Sequence, residues 1–340
     1  MSSTESPDTA TAALPVPPAG PGRHGAAETV HTVTLPGLAL TVRTPAGRPA
    51  PRDGDGDAGT GRDREPALYV HGLGGSSQNW SDLMPLLADR VDGEAVDLPG
   101  FGHSPPPDDG NYSVSAQARA VIRYLDAAGR GPVHLIGNSM GGAASTRVAA
   151  VRPDLVRTLT LISPALPELR PQLTAVPTAL LAVPGIAGLF GRITHDWTPE
   201  RRTREVLALC YGDPGRVSPE GFNAAADEYA RRLELPYFWE VMERSARGLV
   251  NAYTLGGQHN LWRQAERVLA PTLLVYGGRD RLVSFRMARR AAAAFRGSRL
   301  LTLPEAGHVA MMEYPETVAR AVRELLDSEV TDVTADAGRS

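Results

Sequence analysis

Short apolar runs recur along the chain, and longer segments with helical periodicity lie between them. The runs, bounded by glycine, proline or polar turn formers, predict strands over residues 67–70, 94–97, 133–136, 158–162, 272–276 and 300–303. Apolar positions three and four residues apart predict helices over 115–128, from the turn after 137 to about 151, over 286–295 and over 315–327. Near the start, alternating segments 31–36 and 38–43 flank Pro36-Gly37 and predict a β-hairpin.

The later predicted strands are apolar at most positions, whereas a half-buried strand would alternate apolar with polar residues. Strands of this kind are buried on both faces, which is typical of parallel sheets covered by helices on each side. Strands and helices also alternate along the chain. We therefore expect an α/β fold with a mostly parallel, twisted sheet flanked by helices.

Three parts of the sequence depart from this alternation. Between residues 164 and 270 the pattern is helical and proline-rich without clear strands, which predicts a helical cap inserted over residues 165–269. The core is accordingly assigned to residues 29–164 and 270–328. Residues 1–28 and 45–65 are rich in small, proline and charged residues, so we expect a disordered leader and a flexible loop. Residues 329–340 are expected to form a tail.

Composition excludes several classes of function. The 340-residue chain has a formal net charge of −3, so it lacks the basic surface that nucleic-acid binding usually requires. No uninterrupted apolar run of about twenty residues occurs, so no membrane-spanning helix is expected. The single cysteine, Cys210, excludes an intrachain disulfide and lies in an apolar stretch typical of a core position. Because no secretion signal is recognisable, we expect a cytoplasmic protein.

A serine between glycines follows the strand predicted over 133–136. The sequence from Gly137 to Gly142 is G-N-S-M-G-G, the G-x-S-x-G pattern of a sharp turn between a strand and a helix. Small residues are needed at Gly137 and Gly141, because side chains there would collide with neighbouring backbone. The turn places Ser139 at the start of the next helix, where backbone N–H groups favour developing negative charge. Ser139 is therefore the candidate nucleophile.

A serine hydroxyl needs a base, and the base needs an orienting acid. Of the eight histidines, His308 lies in the loop after the last predicted strand, from which a base can reach over the end of the sheet. Asp280 follows the strand over 272–276 after a short G-G-R turn. The alternative acid position, after the strand ending at residue 162, holds Ser163 and Pro164. We therefore predict Asp280 as the acid and His308 as the base.

Acyl transfer also requires donors for the negatively charged oxygen of the intermediate. One donor is expected to be the backbone N–H of Met140, directly after the nucleophile. The other is expected in the glycine-rich loop H-G-L-G-G over residues 71–75, whose backbone can approach a substrate closely. Leu73 is the preferred donor and Gly74 the second choice. His71 is expected to brace this loop.

Five motifs together resemble the α/β-hydrolase superfamily over roughly residues 30–328. They are H-G-L-G-G (71–75), D-L-P-G-F-G-H-S (97–104), G-N-S-M-G-G (137–142), G-G-R-D (277–280) and A-G-H (306–308). H-G-L-G-G-S-S-Q-N-W (71–80) with G-N-S-M-G-G is similar to the bacterial family V lipases and esterases and to monoacylglycerol lipases. The resemblance implies hydrolysis of carboxylic esters through an acyl-enzyme, with no metal or cofactor.

Two alternatives stay open. G-N-S-M-G-G is also typical of the meta-cleavage carbon–carbon bond hydrolases. Those enzymes usually carry G-P-G after the first H-G-x and a tryptophan after the catalytic histidine, whereas this chain has Gly74-Gly75-Ser76 and Val309. The second alternative is a catalytically silent, ligand-binding protein of this fold, which is disfavoured because all the candidate residues are present.

The predicted cap determines the expected partners. Apolar and aromatic residues over 173–190 and 233–239 suit the acyl part of a small-molecule ester. Residues 175–190 can also lie against lipid, which would give the protein a peripheral membrane contact. The sequence specifies neither the acyl-chain length nor the oligomeric state.

Overall fold

One eight-stranded sheet organises the computed structural model, which describes residues 28–45, 64–168, 170–254 and 256–337. The strands are β1 (Glu28–Leu35), β2 (Leu38–Pro45), β3 (Glu65–Val70), β4 (Val91–Val96), β5 (Val133–Asn138), β6 (Val156–Ile162), β7 (Thr272–Gly277) and β8 (Arg299–Leu303). Their order is β1-β2-β4-β3-β5-β6-β7-β8, in which β1–β2 and β2–β4 pair antiparallel and the other neighbours pair parallel. The predicted α/β fold with a mostly parallel sheet is confirmed.

Helices connect the parallel strands. They are α1 (Met84–Leu87), α2 (Val114–Ala128), α3 (Ser139–Val151), α4 (Val176–Leu180), α5 (Ile186–Ile193), α6 (Pro199–Cys210), α7 (Pro219–Leu233), α8 (Phe238–Thr254), α9 (Leu261–Ala265), α10 (Met287–Ala294), α11 (Ala310–Glu313) and α12 (Pro315–Ala337). Helix α2 shows how the sequence sets its own bounds. Ser113 Oγ accepts a hydrogen bond from the Ala116 N–H at 3.2 Å, and Gly129 ends the helix with a left-handed φ of +59°.

Two apolar clusters cover the two faces of the sheet. Neighbouring residues of β5 belong to different clusters, Leu135 to one and Ile136 to the other, because successive side chains of a strand point to opposite faces. The first cluster includes residues of α2, α3, α9 and α10, and the second includes residues of α1, α11 and α12. All six positions of β5 are buried, so packing on both faces fixes the position of this central strand and of the turn into α3 that follows it.

The segment between β6 and β7 contains helices α4 to α9, and its described residues include no strand. Helices α4 and α5 pack on α8, and α6 packs on α7. Helix α9 instead packs against α3, and its Leu261 and Ala265 join the core cluster, so the end of the predicted cap lies with the core. No helix in the described part of the chain has the length and apolar character to cross a membrane.

The predicted ends of the chain fall partly outside the described residues. The expected leader (1–28) and flexible loop (45–65) lie there, apart from Glu28 in β1, Pro45 in β2, and residues 64 and 65 next to and in β3. Helix α12 runs to Ala337, past the predicted end at residue 327 and into the expected tail. The helix continues because no glycine or proline interrupts residues 316–337.

Candidate active site

The turn between β5 and α3 holds its serine in an unusual backbone conformation. Ser139 has a φ of +53°, in the left-handed region that costs a non-glycine residue about 1–3 kcal/mol. Glycines make this turn possible. A Cβ on Gly137 would lie 2.8 Å from the Gly141 carbonyl oxygen, and one on Gly141 would lie 2.3 Å from the Val70 and His71 carbonyl oxygens. Ser139 is therefore presented at the first position of α3, as the sequence predicts.

Asp280 and His308 are both buried and lie within ion-pair distance of each other. His308 Nδ1 lies 2.9 Å from Asp280 Oδ2. Asp280 Oδ1 accepts hydrogen bonds from the backbone N–H groups of Leu282 at 2.8 Å and Val283 at 2.9 Å. Burial opposes ionisation of this carboxyl, but the His308 charge and the three hydrogen bonds outweigh it and lower the Asp280 pKa. When Nδ1 donates to the carboxylate, Nε2 of the neutral ring is an acceptor.

The topology brings these three predicted residues to one edge of the sheet. Ser139 follows β5, Asp280 follows β7 and His308 follows β8, and these strands run parallel in the order β5-β6-β7-β8. Their carboxyl ends therefore lie together. Asn138 ties the serine turn to the histidine loop, because its Nδ2 donates to the carbonyl oxygens of Ile162 and His308, each at 3.0 Å. Sequence reasoning assigned Asn138 no role.

The glycine-rich loop after β3 adjoins the serine. The Gly75 N–H donates to the Gly72 carbonyl oxygen at 3.1 Å, and Gly74 has a φ of +69°, the conformation that the third residue of a type II turn requires. A Cβ on Gly72 would lie 2.9 Å from Ser139 Cβ, so the turn and the serine are in close contact. The turn's own hydrogen bond uses neither the Leu73 nor the Gly74 N–H.

The start of α3 supplies a second group of donors. The first N–H groups of a helix have no partner within the helix. Met140 is the second residue of α3, directly after Ser139, and its N–H belongs to this group. The structure thus places Met140, Leu73 and Gly74 beside the serine turn, the region where the sequence predicts the oxyanion donors.

His71 supports the loop from beneath. It is fully buried, its Nδ1 lies 2.7 Å from the Gly72 carbonyl oxygen, and its Nε2 accepts the Leu98 N–H at 2.9 Å. Burial lowers its pKa to about 4, against the opposing effect of Asp97. The ring is therefore neutral near pH 7, and its contacts agree with the bracing position expected for it.

A buried carboxylate, Glu313, joins the histidine loop to the cap. Its Oε1 accepts the Gly307 N–H at 2.6 Å, and its Oε2 accepts the N–H groups of Gly212 at 2.9 Å and Asp213 at 3.2 Å. Burial raises the pKa of Glu313, although these three donors oppose the shift. The His308 N–H also donates to the Cys210 carbonyl oxygen at 2.7 Å. The loop that carries His308 is thus held by the segment that ends α6.

Two arginines of α7 hold the cap to the glycine-rich side of the site. Arg232 Nη1 donates to the Gly74 carbonyl oxygen, and Arg231 Nη2 donates to the Gly102 carbonyl oxygen at 2.7 Å. Glu228 pairs with both guanidinium groups, at 2.7 Å to Arg231 and 2.8 Å to Arg232. Sequence reasoning missed Glu313 and these arginines. Their bonds between cap and core join groups 100 or more residues apart, and no local motif marks them.

Comparison with known proteins places this arrangement in a family. Residues 66–315 match the sequence model described as the alpha/beta hydrolase fold. The chain belongs to the α/β-hydrolase family. The match spans all the residues singled out above, from the glycine-rich loop to the histidine loop and Glu313.

Curated relatives of this α/β-hydrolase include proteins with different activities. A 2-hydroxy-6-oxo-6-(2'-aminophenyl)hexa-2,4-dienoic acid hydrolase of Metapseudomonas resinovorans is 28% identical over 286 residues, covering 82% of this chain and 88% of the relative. A pimeloyl-(acyl-carrier protein) methyl ester esterase of Neisseria meningitidis is 27% identical over 266 residues, covering 76% and 92%. The chain spans only 60% of the acetyltransferase component of the acetoin cleaving system of Cupriavidus necator, at 28% identity over 73% of this chain.

Solved structures share the fold. Cfl2 from Burkholderia cenocepacia superposes with a TM-score of 0.72 at 20% sequence identity, covering 87% of this chain and 95% of that protein. Identity at this level shows a common architecture and leaves the substrate of this α/β-hydrolase to be argued from its own residues.

Proposed function

We propose that this α/β-hydrolase cleaves carboxylic esters through an acyl-enzyme, with Ser139 as nucleophile, His308 as base and Asp280 as acid. The observation that carries the proposal is the 2.9 Å contact between His308 Nδ1 and Asp280 Oδ2, at the same sheet edge as the left-handed Ser139. This combination orients the imidazole so that its second nitrogen, Nε2, can accept the serine proton. The expected cytoplasmic location remains a prediction.

The proposed reaction has two halves. Ser139 Oγ attacks the ester carbonyl while His308 Nε2 takes its proton, and the resulting oxyanion accepts hydrogen bonds from the Met140 and Leu73 N–H groups, with Gly74 as the alternative donor. The C–O bond to the alcohol then breaks, and His308 returns the proton to the leaving oxygen. In the second half, water gives a proton to His308 and attacks the acyl carbon. Ser139 leaves and recovers its proton.

The electrostatics of the site support this sequence of steps. The lowered pKa of Asp280 keeps the carboxylate ionised near neutral pH, so a negative charge faces the imidazolium that forms when His308 takes the serine proton. The backbone N–H groups at the start of α3 and in the Gly72–Gly75 turn offer the positive ends of dipoles to the oxyanion. Loss of one such donor typically lowers turnover by about 10²- to 10³-fold.

Carbon–carbon bond hydrolysis is the second candidate. It is favoured by the relative named as a dienoic acid hydrolase, which aligns with 82% of this chain. The relative named as a methyl ester esterase favours the ester reaction over 76% of the chain. The residues themselves favour the ester, because the loop after β3 reads Gly74-Gly75-Ser76 and Val309 follows the histidine.

Replacement of the serine tests the proposal. Ser139→Ala removes the nucleophile, and we expect hydrolysis of p-nitrophenyl esters from acetate to palmitate, and of a monoglyceride, to fall by on the order of 10⁶-fold. The matched control is Ser145→Ala in the same helix, since the buried Ser145 hydroxyl has no hydrogen-bond partner among the described residues. Esterase activity retained in Ser139→Ala would refute the assignment. Faster cleavage of a 2-hydroxy-6-oxo-6-phenylhexa-2,4-dienoate than of any ester would favour the second candidate.

A further inference from the structure

The first part of the cap carries an unusual concentration of exposed apolar side chains. Seven of the fourteen large hydrophobic residues exposed in the described part of the chain lie between residues 173 and 193. We call these seven the cap patch: Leu173, Val176, Leu180, Val183, Leu189, Phe190 and Ile193. Leu173 is 87% exposed and Ile193 is 71% exposed. Scattered exposed hydrophobic residues are ordinary, whereas a cluster of this kind marks an interaction surface.

The patch is held in place by the helix beneath it. Ala187 of α5 is fully buried, and Gly191 packs so closely on Trp239 of α8 that an added Cβ would lie 2.7 Å from the indole nitrogen. The turn between α4 and α5 is pinned as well, because the Gly185 N–H donates to Glu243 at 2.7 Å and Arg247 Nε donates to the Ala182 carbonyl oxygen at 3.0 Å. The apolar face is therefore directed outward by packing and hydrogen bonds on its inner side.

Within the segment that carries the patch, the charged side chains have one sign. From residue 170 to residue 195 the chain contains Arg170, Arg192 and His195 and no acidic residue. Of the carboxylates that adjoin this segment, Glu168 pairs with Arg286 and Glu243 pairs with Arg247. Asp196, directly after the segment, lies beside His195. An apolar surface with exposed arginines at its border complements the acyl chains and the negative headgroups of an anionic membrane.

The beginning of the patch is bonded to the candidate active site. Gln172 Nε2 donates to the Asp280 carbonyl oxygen at 2.9 Å, and Thr174 Oγ1 donates to the Arg281 carbonyl oxygen at 2.5 Å. These bonds flank Leu173, the most exposed member of the patch. A surface that receives the cap patch therefore lies next to the loop that carries the proposed acid.

We propose that the cap patch docks this protein on the surface of membranes that contain anionic phospholipid. Leu189, Phe190 and Ile193 enter the boundary between headgroups and acyl chains, and Arg170 and Arg192 contact the phosphates. Docking does not depend on the proposed chemistry. The further consequence, that the docked enzyme draws lipid esters from the membrane, rests on the proposed ester hydrolysis.

Vesicle flotation of the full chain tests the docking. Vesicles of phosphatidylcholine alone and of phosphatidylcholine with about one third phosphatidylglycerol are compared at low and high salt. We expect flotation with the anionic vesicles and weaker flotation at high salt, because the attraction to the headgroups is screened. Leu189→Ser/Ile193→Ser should reduce the partition coefficient at least tenfold, and Arg192→Gln about fivefold.

A matched double variant controls for the loss of exposed apolar surface elsewhere. Leu269 is 79% exposed, close to the 71% of Ile193, and Val206 is 43% exposed, close to the 48% of Leu189. Leu269 and Val206 lie outside the patch. Leu269→Ser/Val206→Ser should float as the unaltered chain does. The proposal is overturned if the unaltered chain stays with the unbound fraction, or if the two double variants behave alike. It is also overturned if the patch variant instead dissociates a dimer in light scattering, which would assign the patch to a second copy of this chain.

Two readouts separate docking from chemistry. Ser139→Ala should float as the unaltered chain does, so a loss of the proposed activity leaves the docking result intact. Arg192→Gln/Ile193→Ser, whose two positions lie outside the segments predicted to bind the acyl group, should hydrolyse soluble p-nitrophenyl acetate at the normal rate. The same variant should cleave a monoglyceride held in anionic vesicles at least tenfold more slowly. Equal rates of this variant and the unaltered chain on the vesicle-held ester would refute the delivery of substrate from the membrane.

Discussion

His71 illustrates how burial and two hydrogen bonds decide the protonation state of one residue beside the serine turn. Its Nδ1 faces the Gly72 carbonyl oxygen and its Nε2 faces the Leu98 N–H, so the ring needs one donor and one acceptor nitrogen. That is the neutral tautomer. A second ring proton, on Nε2, would point at the Leu98 N–H and remove the acceptor of that hydrogen bond. Burial also disfavours the charged ring and lowers the pKa of His71 to about 4. The charged groups that act on the ring are Asp97, Arg232 and Glu228.

The pKa of His71 predicts a pH dependence of stability. Between pH 6.5 and pH 4 the unfolded chain binds a proton at this residue and the folded chain does not, so the free energy of unfolding falls as the pH falls. From pH 7 to pH 4 this residue accounts for a loss of about 3 kcal/mol. His71→Gln can keep one donor and one acceptor but cannot titrate. Its deficit relative to the unaltered chain should therefore shrink by about 3 kcal/mol over this range, as measured by urea unfolding.

The control for this prediction is Leu269→Ser, a substitution at a 79% exposed position that neither adds nor removes a titratable group. Its difference from the unaltered chain should be the same at pH 7 and pH 4. A deficit of His71→Gln that does not change with pH would mean that the pKa of His71 is not lowered in the folded protein.

The sequence predicted the residues that local motifs mark. Ser139, Asp280 and His308 each follow a recognisable strand and a turn of small residues, so their position at the edge of the sheet could be inferred without a structure. Glu313 and Asn138 could not be found in this way. Their contacts join segments about 100 and 170 residues apart, and only the folded chain shows which backbone groups meet them.

At the scale of elements, the loop between β8 and α11 depends on groups from outside its own segment. Glu313 at the end of α11 accepts the Gly307 N–H from within the loop and the Gly212 and Asp213 N–H groups from the cap. The His308 N–H meets the last carbonyl of α6. The position of the proposed base is therefore set jointly by the core and the cap.

Replacement of the Glu313 carboxylate should disturb the base without removing it. In Glu313→Gln the amide NH2 replaces one acceptor, so at least one buried backbone N–H loses its partner, at a cost of about 1–3 kcal/mol. We expect kcat on a soluble ester to fall about tenfold or more, with KM within twofold, because a small misplacement of a catalytic group is costly. Glu316→Gln, at an exposed position three residues later, should leave kcat unchanged. Equal kinetics for the two variants would show that Glu313 does not position His308.

The limits of sequence reasoning about elements have physical causes. The strands were predictable because burial on both faces leaves a continuous apolar run, as in β5. Helix ends were less predictable where no glycine or proline marks them, as the extension of α12 to Ala337 shows. The grouping of α9 with the core could not be predicted, since its apolar Leu261 and Ala265 would serve equally well in a cap.

At the scale of the whole molecule, the cap and the core meet on both sides of the proposed nucleophile. On one side Arg232 of α7 donates to the Gly74 carbonyl oxygen in the glycine-rich turn. On the other side the Cys210 carbonyl oxygen, at the end of α6, accepts a hydrogen bond from the His308 N–H. The family and the sheet could be inferred from five motifs. The two contacts between cap and core could not, because they depend on how the cap packs, and the same holds for the outward direction of the cap patch.

The hydrogen bond from Arg232 to the Gly74 carbonyl oxygen predicts a specific loss of activity. Arg232→Gln removes a charged donor from the Gly74 carbonyl oxygen, and a hydrogen bond to a charged group contributes about 1.5–3 kcal/mol. Since this turn also carries the proposed oxyanion donors Leu73 and Gly74, kcat/KM should fall at least tenfold, and Tm should fall by a few degrees. Arg244→Gln is the control, because Arg244 also bonds a core carbonyl, that of Gly110, which does not belong to the turn. An equal loss of kcat/KM in both variants would show that the contact between cap and core in general, and not the bond to the turn, supports activity.

The most direct test of the account is to trap the acyl-enzyme and locate it. The chain is mixed with p-nitrophenyl acetate, product release is followed in the first turnover, and the acid-quenched protein is digested and fragmented by mass spectrometry. We predict a burst of one p-nitrophenolate per chain and an acetyl group on Ser139, resolved from Ser145 in the same tryptic peptide, with neither seen in Ser139→Ala. Turnover without a covalent adduct, or an acetyl group on another residue that forms and decays at the rate of catalysis, would contradict the account.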